Sequence, residues 1–591
     1  MDEQERIEKT PEFQLYEKGR NHLRLTNHYE RVNKCLRFYK GDQWHGANLG
    51  DVPKVQYNMI KPIVNYKTSS LDSYEYQIVF NSNNYESPEK QERMEELCKI
   101  LNTHISIIWE LKHMETILRK TKKMGAITGE DVLYFYFKKD GNNKTENGEL
   151  IDDVVNGEFE VERINTTDVC YGNENDPKIE NQPYIIIKQR KSLYAIQQEA
   201  RANGISEEKI RQIASDQEKT EEAGDASQYE VDDNVLCITK FYKKNGTVHY
   251  VKSTRSVVYQ EETDLKLKYY PIAHYLWDDD IGNARGIGEV EYLIPNQIEV
   301  NKTLVRRVAI LVMIAYPKLV INTDKINRNT ADKVGAIIEL SGGIDNINNY
   351  IGYIQPTQTS PEATALQNEL ITMTRELSNA SDVATGAINP EQASGKSVLA
   401  VQQAAQQPLN EQLYRYKELL EDIANIIFDI WRTYNVNGMK MYKRQEKKDL
   451  SKIDDGHYEY ELVDVTAKEL EELKPYIQFE ETPRTAYERL AQEQSYENLL
   501  VKGIIQFDEF VELLSEDSSM NKRLLTKLIQ KRQQKQEEIN NMQAEAQGQA
   551  NQLQNELQLE QMANQVETDV DINRINDETA RQAENIMQGE W

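Results

Sequence analysis

Apolar side chains recur along this chain at two periods, and the segments where each period holds predict its elements. Met94, Leu97, Leu101, Ile105 and Ile108 fall three and four apart, which draws one apolar stripe on a helix. Ser87-Pro88 opens that helix as a cap followed by proline. Residues 131–137, Asp-Val-Leu-Tyr-Phe-Tyr-Phe, read as a buried strand, and 159–164 and 184–189 as further strands. The charged stretch 206–230 predicts a surface insertion, helical or loose. After it comes a meander: 235–242, the turn Asn245-Gly246, 247–252 and 255–260. Asn-Gly between two β-rich runs predicts a hairpin, because both central residues of a type I′ turn need positive φ.

Beyond Gly286-Ile-Gly288 the period lengthens. Residues 290–316 predict a helix of roughly 40 Å at 1.5 Å per residue, with Pro295 tolerable only near its first turns and Pro317 as its end. The short segment 318–355 carries strand-like runs at 319–322 and 337–340, with Gly342-Gly343 as a turn. Pro361 starts a second helix, on which Leu366, Leu370, Met373 and Leu377 form a stripe. A loop with Gly386, Pro390 and Gly395 spans 382–396. A third helix, 397–434, is expected to kink at Pro408. Its apolar face is Leu409, Leu413, Tyr416, Leu420, Ile423, Ile427 and Trp431, and Asn437-Gly438 closes it.

Strands are predicted at 458–463 and 476–479, and the pattern is helical from there on, with Thr482 as N-cap and Pro483 in the first turn. Residues 533–565 hold 11 glutamines, yet Ile539, Met542, Ala546, Ala550, Leu553 and Leu557 keep a heptad-like spacing. That composition supports either a long self-associating helix or a Gln-rich disordered tail.

Composition narrows the class. A chain of 591 residues has room for three to five domains. With 98 acidic against 71 basic side chains the net charge is −27, which opposes a grip on nucleic acid over the whole surface and docking on anionic lipid. The longest apolar run, 308–316, is about half a bilayer span and adjoins Arg306 and Arg307. The opening MDEQERIEKT is acidic and polar, unlike a signal or transit peptide. Four cysteines lie far apart without a CxxC pair, the usage of reduced thiols in a cytosol. The expectation is a large, acidic, soluble protein made inside a cell.

Candidate chemistry is sparse. Ser394-Gly395-Lys396-Ser397 ends like a P-loop, but the glycine that must precede it by five positions is Pro390. Gly286-Ile-Gly288 lacks the third glycine of a dinucleotide fingerprint. Asp278-Asp279-Asp280 reads either as a Mg²⁺ holder or as a solvated turn after Trp277. The eight histidines are scattered, with no HExxH, zinc spacing or GxSxG. No enzyme signature, metal or cofactor is implied. Charge patterning says more: Lys302, Arg306, Arg307, Lys318, Lys325, Arg328 and Lys333 are opposed only by Asp324 and Asp332. That zone reads as a contact for DNA phosphates or an acidic partner, or as a solvated face balanced in the fold. The small polar residues of 382–396 suit a mobile element or an ordinary long connection.

Four segments, taken in order, resemble tailed-bacteriophage portal proteins. They are Tyr39-Lys-Gly-Asp-Gln-Trp44, Asn58-Met-Ile-Lys-Pro-Ile-Val-Asn65, the run from Gly286 to Lys302, and Ser394-Gly-Lys-Ser-Val-Leu-Ala-Val-Gln-Gln403. The resemblance covers roughly residues 30–530. It implies an α+β, predominantly helical fold: wing at 1–285, first stem helix at 286–316, clip at 317–360, second stem helix at 361–381 and tunnel loop at 382–396. A second wing segment at 397–482, a helical crown at 483–535 and a Gln-rich C-terminal piece at 536–591 complete it, the last a possible barrel or a disordered tail.

The resemblance further implies a non-enzymatic ring, usually of twelve copies, at one capsid vertex of the virion. Double-stranded DNA would pass through it in packaging and ejection. Terminase and then head-to-tail connector proteins would dock on it, beside major capsid and scaffolding proteins and without a membrane. Implied DNA contacts are Asn389, Gln392, Ser394 and Lys396 in the tunnel loop and Lys302, Arg306 and Arg307 in the stem. Implied clip contacts are Lys318, Lys325, Arg328 and Lys333. Replacing the three stem cations with Glu is expected to impair packaging or retention and spare the ring. Two rivals are a metal-dependent nucleic-acid-processing enzyme using Asp278, Asp279 and Asp280, and a helical scaffold or adaptor built on the C-terminal heptads.

Overall fold

The computed structural model describes residues 9–50, 52–72, 74–83, 87–139, 145–146, 149–150, 157–215, 233–315, 318–321, 346, 351–354, 361–379, 407–436, 438–444, 460–483, 486–514 and isolated positions between 524 and 581. The chain divides into two compact units, one of 1–446 with 458–485 and one of 447–457 with 486–591. It is a mixed α/β protein, mostly helical.

The first unit begins with helices α1 (Pro11–Leu25), α2 (His28–Lys40) and α3 (Ile60–Leu71), followed by strand β1 (Tyr74–Ser82). Helices α4 (Pro88–Leu111) and α5 (Met114–Thr128) lead into β2 (Glu130–Lys139), the short pair β3 (Thr145–Glu146) and β4 (Glu149–Leu150), and β5 (Gly157–Ile164). Next come β6 (Val169–Tyr171), β7 (Ile185–Ser192), α6 (Leu193–Ala202), α7 (Glu207–Arg211), β8 (Asn234–Lys244), β9 (Thr247–Ser253), β10 (Val258–Asp264) and β11 (Ile272–Leu276). Helix α8 (Glu289–Ala315) and α9 (Pro361–Leu377) flank the antiparallel pair β12 (Lys318–Ile321) and β13 (Ile351–Ile354). Helix α10 (Asn410–Tyr434), β14 (Met439–Arg444), β15 (Tyr460–Val465), α11 (Ala467–Glu472) and β16 (Pro475–Pro483) complete the unit.

Two sheets carry the fold: a five-stranded one in the order β10-β9-β8-β7-β6 and a three-stranded one in the order β11-β2-β5, both antiparallel. The hairpin predicted at Asn245-Gly246 forms, with φ of 55° and 88° at the two residues. The stripe Met94, Leu97, Leu101, Ile105 and Ile108 is buried as expected. Ser87 caps α4 in an extended conformation without a side-chain hydrogen bond. Helix α10 runs through the core, with Tyr416, Leu420, Ile423, Ile427 and Trp431 buried. Trp431 Nε1 donates to Glu158 Oε1 at 2.6 Å, and its ring meets His104 at 5.2 Å. All four cysteines are buried and unpaired, and burial raises the Cys35, Cys98 and Cys170 thiols to about 12.

Two sequence expectations are corrected, and two more are met only as far as the described residues reach. Pro483 ends a strand instead of opening a helix, because β16 pairs with β1 in the register Tyr74↔Pro483 to Ser82↔Pro475. The cap of α10 is Asn435, whose Nδ2 donates to Trp431 O at 3.0 Å. The strand 318–321 takes its partner from 351–354, while the expected strand at 337–340 lies outside the described residues. Around Pro408, residues 407–409 form a 3₁₀ turn from which α10 starts, and 397–406 lie outside the described residues.

In the second unit, α12 (Ala486–Val501) and α13 (Phe507–Leu513) bury Phe510, Val511 and Leu514 against Tyr496, Leu500 and Ile505. A reciprocal Gln506–Glu509 capping box starts α13. The described positions from 524 to 581 are helical, among them Ile539, Met542 and Leu557 of the heptad series, each exposed. Among the described residues no helix is long and apolar enough to cross a membrane.

Candidate nucleic-acid interface

The basic zone of the sequence begins on α8, which forms a hairpin with α9. Asn296 Nδ2 donates to Thr374 Oγ1 at 3.0 Å and Arg307 Nη1 donates to Gln367 Oε1 at 2.5 Å. These two contacts set the antiparallel register. Helix α9 turns Gln367, Thr374 and Ser378 inward and leaves Leu366, Met373 and Leu377 50%, 49% and 75% exposed. The apolar stripe predicted on α9 therefore points largely away from this chain's own core. The apolar end of α8 does the same, with Leu311 56% and Val312 45% exposed.

Of the three cations expected on a stem helix, Lys302 and Arg306 lie one turn apart on the exposed face of α8. Lys302 pairs with Glu299 at 2.7 Å, while Arg307 is turned to α9. Lys325, Arg328, Lys333, Asn389, Gln392, Ser394 and Lys396 lie outside the described residues. Lys318 begins β12.

Sequence reasoning missed the root of α8. Three glycines bring two backbone segments into contact there: a Cβ on Gly286 would lie 2.5 Å from Gly129 O, and one on Gly288 would lie 2.7 Å from Ile127 O. Beside them Arg285, 3% exposed, uses its whole guanidinium. Nη1 donates to Glu130 Oε1 at 2.7 Å and Thr166 O at 3.2 Å, Nη2 to Val169 O at 2.9 Å and Glu174 Oε1 at 3.1 Å, and Nε to Glu174 Oε2 at 2.9 Å. Its carbon end lies 4.9 Å from the Tyr171 ring centre. The second Glu130 oxygen accepts from His274 Nε2 at 2.7 Å.

Burial alone would raise the Glu130 carboxyl, but Arg285 and His274 hold it well below the usual carboxylate range. Burial, reinforced by Arg285, lowers His28 well below its ordinary value and keeps the ring neutral. Lys67 reaches Glu289 in the first turn of α8 at 2.7 Å.

Two to three turns further, Gln297 and Asn301 hold the segment before α3. Met59 N donates to Gln297 Oε1 at 2.9 Å, Tyr57 N to Asn301 Oδ1 at 3.1 Å, and Asn301 Nδ2 to Gln43 Oε1 at 2.5 Å. The motif segments 39–44, 58–65 and 286–302, far apart in sequence, thus meet along one side of α8.

Next to Glu130, the buried Asp131 carboxyl accepts from Arg163 Nη1 at 2.9 Å. Burial raises it to about 7 against the pull of Arg163. An acid raised in the folded state keeps its proton where the unfolded chain has lost it, so this group's contribution falls as pH rises from about 4 to 7. Asp131→Asn is expected to be more stable than the parent at pH 8, with the gap closing by pH 5, in denaturant unfolding at both values.

The acidic triplet does not converge. Asp278 accepts from the Tyr292 hydroxyl at 3.2 Å, Asp279 from Arg415 at 3.1 Å and Asp280 from Asn283 at 3.0 Å. Among the described residues no group of three or more His, Cys, Asp or Glu is placed to hold a metal ion. A cleft of about 940 Å³ between the two main sheets is lined by Tyr134, Tyr136, Tyr250 and Tyr434 with Lys188 and Lys252. Both lysines are engaged, with Asp168 at 3.0 Å and Glu199 at 2.6 Å.

A family model described as phage P22-like portal protein matches residues 183–572. The match starts just before β7 and includes most of the Gln-rich segment. No curated protein matches the chain.

Proposed function

The chain belongs to the phage P22-like portal protein family, and from that premise we propose that copies of it form the ring at one capsid vertex through which double-stranded DNA is packaged and ejected. Twelve is the copy number the family resemblance favours. In this reading α8 and α9 are the stem, 317–360 the clip, 382–396 the tunnel loop, and 1–285 with 397–482 the wing. The crown begins at α12.

The observation that carries the reading is the family match over both stem helices. The apolar surface those helices leave exposed supports it, since a face of this kind marks an interaction site. The ATP hydrolysis of packaging falls to terminase, which docks on the clip before connector proteins replace it; Lys318, Lys325, Arg328 and Lys333 are the clip cations offered to both. Major capsid and scaffolding proteins surround the ring in the virion.

A channel must let DNA slide, so phosphate contacts have to be few and weak. The tunnel-loop residues Asn389, Gln392, Ser394 and Lys396 are proposed as polar contacts. On the stem, Lys302 and Arg306 are the better placed cations, and Arg307 serves the hairpin. Rings carrying Lys302→Gln and Arg306→Gln are expected to hold DNA less firmly. DNA release from filled heads should then begin at lower salt.

Electron microscopy of the purified protein tests the reading. Rings with a hole that admits a duplex of roughly 20 Å are expected. Compact particles without a channel would overturn it.

A further inference from the structure

The outward faces of the hairpin carry opposite charge. On α8 the exposed positions include Glu299, Lys302 and Arg306; on α9 they include Glu362, Glu369 and Glu376, spaced seven apart so that all three share one face. Among the described residues neither Arg306 nor Glu369 has an ion-pair partner. Counting along the antiparallel helices from Asn296–Thr374 and Arg307–Gln367 sets Glu369 level with Thr303. Glu369 therefore lies within one turn of the heights of both Lys302 and Arg306, yet on the other helix.

Rotation about a ring axis keeps every residue at its own height. In a head-to-tail ring two different faces of the same chain must meet, one from each neighbour. We propose that Glu369 of one copy docks between Lys302 and Arg306 of the next, and that this charge pairing seals the seam between hairpins. The exposed Leu366 and Met373, three residues before and four after Glu369 on the same face of α9, supply the apolar part of the same seam.

The existing Lys302–Glu299 pair is an exposed one along a single helix, worth little and readily exchanged. Pairing across the seam also tempers the cations, so that their hold on passing DNA stays weak. The proposal rests on the ring reading and adds the contact that orients one copy on the next.

A charge swap in the full-length chain tests it. Glu369→Lys, Lys302→Glu with Arg306→Glu, and all three together are compared with the parent by sedimentation and electron microscopy over a salt series. All three positions are exposed, and circular dichroism checks that each variant folds.

Glu369→Lys places like charges together and is expected to weaken assembly about tenfold or more. The double variant should do the same, in place of the intact ring expected if these cations served DNA alone, and the triple variant should regain most of the loss. Parent-like assembly of the single variant, or a triple variant no better than the single, would overturn the seam and leave the ring reading standing. A parent that forms no ring would overturn both.

Discussion

Replacing Arg285 with methionine is expected to cost about 3–5 kcal/mol of stability. Methionine approximates the length of the stem but supplies no donors. Glu130 and Glu174 would then be left with uncompensated charge, and the carbonyls of Thr166 and Val169 would lose their partner. Denaturant unfolding gives the loss, and its pH dependence identifies the cause.

In the parent, Glu130 has a depressed pKa, so its contribution is present at neutral pH and is lost only as pH falls through that low value. Without Arg285, burial dominates and the same carboxyl rises above its unfolded value. The variant should therefore gain stability as pH falls from 8 to 5, relative to the parent. Adding Glu130→Gln should recover part of the loss at pH 8 and remove that slope. A loss unchanged between pH 5 and 8 would show that packing, not charge, is what Arg285 supplies.

The Arg285 cluster joins residues of α2, β2, the β5–β6 connection and β11 at the point where the chain enters α8. Such a joint fixes the direction of a long helix more firmly than contacts along its sides can. Hydrogen bonds from the backbone of Tyr57 and Met59 to Asn301 and Gln297 then hold the third and fourth turns to the segment before α3.

Where local chemistry decides the structure, the sequence was readable. Asn245-Gly246 takes positive φ at both residues because the turn demands it, and the 94–108 stripe is buried because its period leaves no other face. Thr482-Pro483 misled for the opposite reason. Its local helix signal yields to a pairing with β1, almost 400 positions away, in which Ile477 and Phe479 alternate toward the core. The strand at 439–444 went unread because it is short and leans on α4 and its partner β15.

On α9 the period gave the helix correctly but not the direction of its stripe. A stripe that faces outward has the same spacing as one that faces the core. The root of α8 was invisible because His28, Glu130, Glu174, His274 and Arg285 share no local pattern, and only the fold gathers them. Gly286 and Gly288 were noticed, but as a failed nucleotide motif, when their use is to let two backbones touch.

That contact yields the second large effect. Gly129 has φ +103°, and a Cβ there would lie 2.2 Å from Gly286 O and 2.7 Å from Gly286 C. Gly129→Ala therefore adds an unfavourable backbone conformation, about 1–2 kcal/mol, to an overlap with backbone atoms that no side-chain rotation can relieve. The segment 286–288 would have to move away, breaking the hydrogen bond from Ile287 N to Asp278 O and carrying the start of α8 with it.

Gly282→Ala is the control, since it shares the positive φ, +84°, but has nothing within 4 Å of the added Cβ. It should lose only the conformational part. Gly129→Ala should lose several kcal/mol more, or give chains that fail to assemble. Parallel unfolding and assembly measurements on the two variants isolate the cost of separating the two backbones. Equal losses would mean that the backbone contact at the start of α8 adds nothing to stability.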